Sequence, residues 1–274
     1  MEISIGGVKS TPLTERSDRF TAIIWGPAKS GKTTLASTAP KPILFLMFDP
    51  DGAASLRRDP DVHVIDLSKS SDSVVGRFKA TGTQELNDIE KAVQDGCRTI
   101  VLDSLTSFGA KALMHGIAVA NTLDAHKSSK PSLEAPGFGG YGMKSMFVNR
   151  AVVNLLAITQ RHNANFIALG HEDAGQKSKE GNIIKQTLLL GSSLVVEIPK
   201  DVSEVWYMHD MNGRHEVLLR PRFPLTPMGS RMFDTRNSSS FYWKYDPVEG
   251  KGEGIASWLE AWKTNSYNKI ALPK

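Results

Sequence analysis

Residues 20–34 read Phe20-Thr21-Ala22-Ile23-Ile24-Trp25-Gly26-Pro27-Ala28-Lys29-Ser30-Gly31-Lys32-Thr33-Thr34. The apolar run Phe20–Trp25 suits a buried strand, and the residues after Thr33 suit a helix start. Between them lies the spacing G-x-x-x-x-G-K-T. Gly26 and Gly31 let the backbone turn with its N–H groups pointing inward, a nest at a helix N-terminus that fits a β-phosphate. Lys32 is expected to reach the β- and γ-phosphates, and the Thr33 hydroxyl to complete a Mg²⁺ shell. With strand before and helix after, Gly26, Pro27, Ala28, Lys29, Ser30, Gly31, Lys32, Thr33 and Thr34 form a nucleotide-binding P-loop.

The remaining composition is compatible with one large α/β domain. The chain has 274 residues, 40% hydrophobic and 23% charged, as in soluble globular proteins. A net charge of +4 and a pI near 9.0 tolerate a polyanionic partner without demonstrating one. One cysteine, Cys97, excludes an internal disulfide framework and fits a reducing compartment. No apolar run is long enough to span a bilayer, and residues 1–10 lack a signal-peptide layout. A soluble cytoplasmic protein is expected, with no membrane contact.

Further along, strands and helices alternate. Ile43–Phe48 is a continuous apolar run ending in Asp49-Pro50-Asp51-Gly52, which sets two carboxylates at a strand's C-terminal end, where open α/β sheets hold ligands. Val62–Leu67 reads as a short strand, and Thr83–Asp95 as a helix closed by Gly96. Thr99-Ile100-Val101-Leu102-Asp103-Ser104 is an apolar strand tipped by an acid, the second element expected beside a P-loop, so Asp103 is assigned to the metal. Residues 122–142, with His126, Lys127 and the run Gly137-Phe138-Gly139-Gly140-Tyr141-Gly142, read as an irregular, mobile stretch. Lys144–Arg161 is an amphipathic helix, and Asn165–His171 a strand ending in a polar residue. Lys177, Lys179 and Lys185 then punctuate a polar segment around Gly175 and Gly181. Leu188–Ile198 reads as a short helix or strand. Ser203–His209 and His215–Arg220 pair across Asn212-Gly213, a strong hairpin turn, and Ile255–Trp262 closes the domain as a helix.

Several P-loop classes fail on particular residues. The GTPase reading of Asp49–Gly52 leaves no room for a switch loop, and no N-K-x-D motif follows, since Asn268-Lys269 continues with Ile270-Ala271. Hexameric AAA+ proteins usually end the second motif Asp-Glu, whereas Ser104 follows Asp103 here. A small-molecule kinase needs an arginine-rich lid; segment 177–185 has lysines but no arginine, which leaves that class as a weaker alternative. The order of elements resembles the RecA-like ATPase core, and more narrowly the phage-encoded single-domain RecA-like ATPases of the single-strand-annealing (Sak) type. The resemblance rests on Gly26–Thr34, Ile43–Gly52, Thr99–Ser104, Phe166–His171 and Ser203–Tyr207, and covers roughly residues 20–225.

That resemblance implies a mostly parallel sheet flanked by helices with a C-terminal antiparallel hairpin, and ATP with Mg²⁺ as ligands. It implies catalytic roles for Lys32, for Asp49 or Asp51 as the acid that polarises water, and for His171 as γ-phosphate sensor. The family normally has glutamate at the acid's place, so slow hydrolysis is expected. Arg220 and Arg222 are candidates for a basic side chain supplied to a neighbouring subunit, and Lys177, Lys179 and Lys185 for gripping single-stranded DNA. Implied partners are single-stranded DNA, further copies in a ring or filament, and a single-strand-binding protein, in the cytoplasm of a phage-infected bacterium. The expected division is an arm at 1–19, the ATPase domain at 20–262 and a tail at 263–274. A nucleotide-switched assembly protein with little hydrolysis, or a P-loop kinase, is the alternative.

Overall fold

The computed structural model describes residues 4–5, 8–9, 19–56, 58–123, 130–191, 193–246 and 249–273. His126 and Lys127 lie outside them. So does most of the arm expected at 1–19, of which two short strands are described, β1 (Ser4–Ile5) and β2 (Val8–Lys9), paired antiparallel.

The apolar run before the P-loop becomes β3 (Thr21–Gly26), buried along its whole length. After it come α1 (Lys32–Ala36), β4 (Ile43–Met47), β5 (Val62–Asp66), α2 (Gln84–Gln94), β6 (Thr99–Asp103), α3 (Leu105–Ala120), α4 (Gly137–Arg161) and β7 (Asn165–His171). A small hairpin follows, β8 (Gln176–Lys177) and β9 (Ile183–Lys185), then α5 (Leu194–Lys200), β10 (Glu204–Asp210), β11 (His215–Leu218), β12 (Gly229–Ser230), β13 (Ser240–Trp243), β14 (Tyr245–Asp246), β15 (Lys251–Gly252) and α6 (Ile255–Thr264). The main sheet runs β13-β11-β10-β3-β7-β6-β4-β5, with β12 also against β10. From β10 to β5 all pairs are parallel; β11, β12 and β13 add antiparallel strands beyond β10. This is the mostly parallel, helix-flanked sheet with C-terminal antiparallel strands expected from the sequence.

Register carries the functional consequence. Gly26 pairs with His171 and Met47 with Asp103, so the P-loop, both acid-tipped strands and the polar end of β7 share one sheet edge. β7 lies between the P-loop strand and the Asp103 strand, which leaves a crevice at that edge.

Both faces of the sheet are covered, which is why its inner strands read as unbroken apolar runs. Ile23, Trp25, Leu102, Phe108 and Phe147 pack on the side of α2–α5. Ile24, Phe45, Trp206, Phe233 and Trp258 pack on the side of α1 and α6. There the Trp206 ring meets Phe20, Phe233 and Trp258 at centroid distances of 5.4, 5.9 and 6.0 Å. Such pairs contribute about 0.5–1.5 kcal/mol each beyond burial, which fastens α6 to the sheet. Beyond α6 the chain still touches the domain, since Tyr267 lies edge-on to Trp262 and Ile270 bridges to Phe233. Among the described residues, no helix is long and apolar enough to cross a membrane.

Two stretches differ from the sequence reading. Residues 105–120, for which no element was expected, form a full helix. Its N-cap is Ser104, whose side chain accepts from the Ser107 N–H. The glycine-rich run 137–142 is helical, the first turns of α4, and not an irregular loop. Its physical reason is close helix packing: a Cβ at Gly116 of α3 would sit 3.2 Å from the Gly140 carbonyl oxygen, and one at Gly140 would sit 3.0 Å from Ile117. The glycines therefore bring α3 and α4 together. Phe138 remains fully exposed on the outer side.

Candidate nucleotide site

At the C-terminal edge of the strands, a cavity of about 480 Å³ is lined by Lys29–Thr34, Asp49–Gly52, Ala54, Ser55, Asp103 and His171. Local backbone explains its shape. Gly26 has φ 149°, and a Cβ there would fall 2.0 Å from the Met208 carbonyl oxygen of β10. Gly31 has φ 91° and opens α1 as its N-cap. A side chain at either position would displace the loop.

Lys32 is buried. Its Nζ donates to the Gly26 carbonyl (3.2 Å), the Pro27 carbonyl (2.6 Å) and Ser30 Oγ (3.3 Å), with no carboxylate in direct contact among the described residues. Burial pushes this ammonium down to about 8, against the attraction of Asp103, Asp49 and Glu172. A desolvated cation ringed by neutral oxygens suits an incoming anion.

Thr33 Oγ1 donates to Asp103 Oδ2 at 2.8 Å. Burial pushes the Asp103 carboxyl up to about 6; the Thr33 hydrogen bond opposes this and the Asp49 charge adds to it. A hydroxyl and a carboxylate side by side are hard oxygen donors that fit Mg²⁺. Among the described residues no three His, Cys, Asp or Glu are placed to hold one metal ion together, so phosphates and water would supply the rest of that shell.

The two candidate acids separate in the structure. Asp49 accepts from Ser104 Oγ (2.8 Å), from Ser107 Oγ and from His171 Nε2 (3.0 Å). Burial opposes its ionisation, but the hydrogen bonds from His171, Ser107 and Ser104 together outweigh it and hold the carboxyl below the usual range. Asp51 has φ 55° and starts the 3-10 turn Gly52–Ser55 without a side-chain capping bond. Both face the cavity, and only Asp49 is fixed by neighbours.

Gly26–Thr34, Asp49, Asp51, Asp103 and His171 are thus brought to one edge. Lys177, Lys179 and Lys185 are not; they stand exposed on the β8–β9 hairpin. Arg220 and Arg222 are exposed as well, away from the cavity. The Leu225–Gln186 bridge lays the arginine segment beside that hairpin, with Phe223 79% exposed between them.

The profile of a family described as AAA domain matches residues 19–245. The chain belongs to that family. Comparison with curated proteins gives no match. Among solved structures, one titled "Crystal structure of the RadB recombinase" is similar at 16% identity, over 83% of this chain and 88% of that one, with a TM-score of 0.43. This AAA domain is a P-loop domain of the nucleotide-binding ATPase class.

Several residues of this AAA domain that bear on the site escaped the sequence reading. Ser104 and Ser107, the cap and first turn of α3, hold Asp49; a serine directly after a strand-end acid and another three residues later was the available signal. Thr106 Oγ1 accepts the His171 N–H at 2.9 Å. Glu172 accepts from Tyr207 Oη at 2.8 Å. Burial, then that hydrogen bond, push the Tyr207 phenol up, so it stays a donor. His171 also anchors the hairpin: its carbonyl accepts the Leu189 N–H at 2.7 Å, and Asp173 N donates to the Thr187 carbonyl at 2.8 Å.

Proposed function

We propose that this chain is an ATPase that binds single-stranded DNA and acts in annealing or recombination, with its ATPase unit at residues 20–262. The observation that carries the reading is the hydrogen-bonded path from Asp49 to His171 and on to the hairpin bearing Lys177 and Lys185. Lys32 and the loop amides hold the phosphates of ATP. Mg²⁺, when bound by Thr33 and Asp103, contributes positive charge at those phosphates. Asp49, rather than Asp51, orients the attacking water and accepts its proton. His171 reports on the γ-phosphate: any change in its bond to Asp49 shifts the strand end from which the hairpin starts.

Lysines on that hairpin, with Lys179 in its turn, grip the DNA backbone, and Phe223 offers a face for a base. The bridge between Leu225 and Gln186 favours Arg220 and Arg222 as part of the same DNA surface. In a ring or filament the other place for them is a neighbouring copy's cradle, and lowered turnover in Arg220→Ala at unchanged ATP affinity selects that role. A single-strand-binding protein is a further partner on this reading, and a phage-infected cytoplasm its setting.

A second reading is a nucleotide-switched assembly protein with little hydrolysis. Its support is Asp49, whose carboxylate already accepts three hydrogen bonds. ATP turnover with and without single-stranded DNA tests both. DNA-stimulated phosphate release supports the first; nucleotide-dependent assembly without turnover replaces it with the second.

A further inference from the structure

The other end of the sheet holds a second cavity, of about 500 Å³, within the size range of small-molecule sites. It is assembled from residues far apart in sequence: Arg19 before β3, Lys200 at the end of α5, Arg231 after β12, and Trp262 of α6. Thr21 at the start of β3 lines it, whereas Gly26 at the end of that strand opens the P-loop. Five residues of strand separate the two by about 16 Å, so the cavities are distinct.

Its chemistry is one-sided. Three cations face one carboxylate, Asp201, and none of the three has an acid within ion-pair distance among the described residues. Arg19 is half-buried, and its Nη1 donates to the Leu156 carbonyl (2.8 Å) and Thr159 Oγ1 (2.7 Å). The nearby Glu204 is held by other partners. It accepts from Trp206 Nε1 and from the Arg231 and Met232 N–H groups, and burial pushes its carboxyl up. Trp262 lines the cavity with its ring. Its residue is 5% exposed, and its indole N–H is buried without a hydrogen-bond partner among the described residues, so the ring reports on the cavity without bonding to what enters it.

We propose that this basal cavity binds a compact phosphate-bearing anion, with Arg19, Lys200 and Arg231 pairing its charge beside the Trp262 ring. Three cations against one carboxylate leave two positive charges, which match the near-dianionic charge of a phosphate monoester. Guanidinium groups suit phosphate because their paired N–H donors fit its oxygens. The phosphoryl group comes from a small molecule or from a nucleic-acid strand; the recognising chemistry is shared.

Inorganic phosphate is titrated into the intact, ¹⁵N-labelled protein while the five tryptophan indole signals are followed. Trp262→Phe identifies the Trp262 signal. A saturable shift of that signal is expected, retained in Lys32→Ala, which disables the P-loop. Lys200→Gln with Arg231→Gln should weaken the phosphate response about tenfold or more, each lost charged hydrogen bond contributing roughly that factor. ATP turnover should stay unchanged in the pair, whose side chains lie away from the cradle. A parallel titration with a single-stranded oligonucleotide separates the sources. A Trp262 response to the oligonucleotide but not to phosphate assigns the site to a phosphodiester backbone. No response to either probe, or a response unaltered by the paired substitution or by Lys200→Gln alone, overturns the proposal.

Discussion

The two ends of the sheet hold cations in opposite company. At the C-terminal edge Lys32 lies within the field of Asp49, Asp103 and Glu172, and charge of both signs is gathered around one loop. At the N-terminal edge Arg19, Lys200 and Arg231 face Asp201 as the one acid among the described lining residues. Acids beside a phosphate-binding cation belong to a site that also handles a metal and a water; cations with little acid suit binding without chemistry. The contrast thus separates a place for turnover from a place for retention.

The sharpest way to break that contrast is to remove the acid on the reactive side. Asp49→Asn should lower ATP turnover by about 10²-fold or more while ATP affinity stays near wild type, the scale of a lost general base. Asp51→Asn should do much less, because that side chain has no fixed orientation. Steady-state phosphate release measures both, and the reverse ranking moves the role to Asp51.

Next in size is a stability effect confined to the acid-bearing end. Asp103 titrates near 6 in the fold against a usual 3.8. The folded protein therefore holds the proton more tightly, and nucleotide-free stability should fall as pH rises from about 4 to about 6. Above that range the buried charge costs about 3 kcal/mol. Asp103→Asn keeps an acceptor for Thr33 and should raise the denaturation midpoint of the nucleotide-free protein at neutral pH, while weakening Mg²⁺-dependent ATP binding. A midpoint that is unchanged, or that does not fall between pH 4 and 6 in wild type, contradicts the burial account.

The reactive end was legible because its residues arrive as motifs. Gly26–Thr34 and Thr99–Asp103 each carry a spacing that backbone geometry enforces, and alternating apolar strands fixed their order. The choice between Asp49 and Asp51 was not legible, since it depends on Ser104 and Ser107, the cap and first turn of α3, meeting His171 at the end of β7. The glycines at 137–142 misled for a related reason: their role is set by Gly116 and Ile117 on another helix. The basal cavity leaves no trace in sequence at all, because Arg19, Lys200, Arg231 and Trp262, up to 243 positions apart, meet there only in the fold.

A smaller effect sharpens the link between the cradle and DNA. Neutralising Lys177, Lys179 and Lys185 together should weaken single-strand binding and lower its salt slope by about 2, at roughly 0.7 for each phosphate that no longer meets a cation. Basal ATP turnover should persist. An unchanged salt slope moves the DNA site elsewhere, most directly to the exposed Phe138 and Tyr141 at the start of α4.

The central claim, that the P-loop edge binds Mg²⁺–ATP through Lys32, is tested most directly by calorimetric titration of Mg²⁺–ATP into wild type and Lys32→Ala. One saturable site per chain is expected in wild type, and no detectable binding in a Lys32→Ala protein that melts cooperatively at a similar temperature. Wild-type affinity in that folded variant, or no binding by wild type itself, would contradict the account.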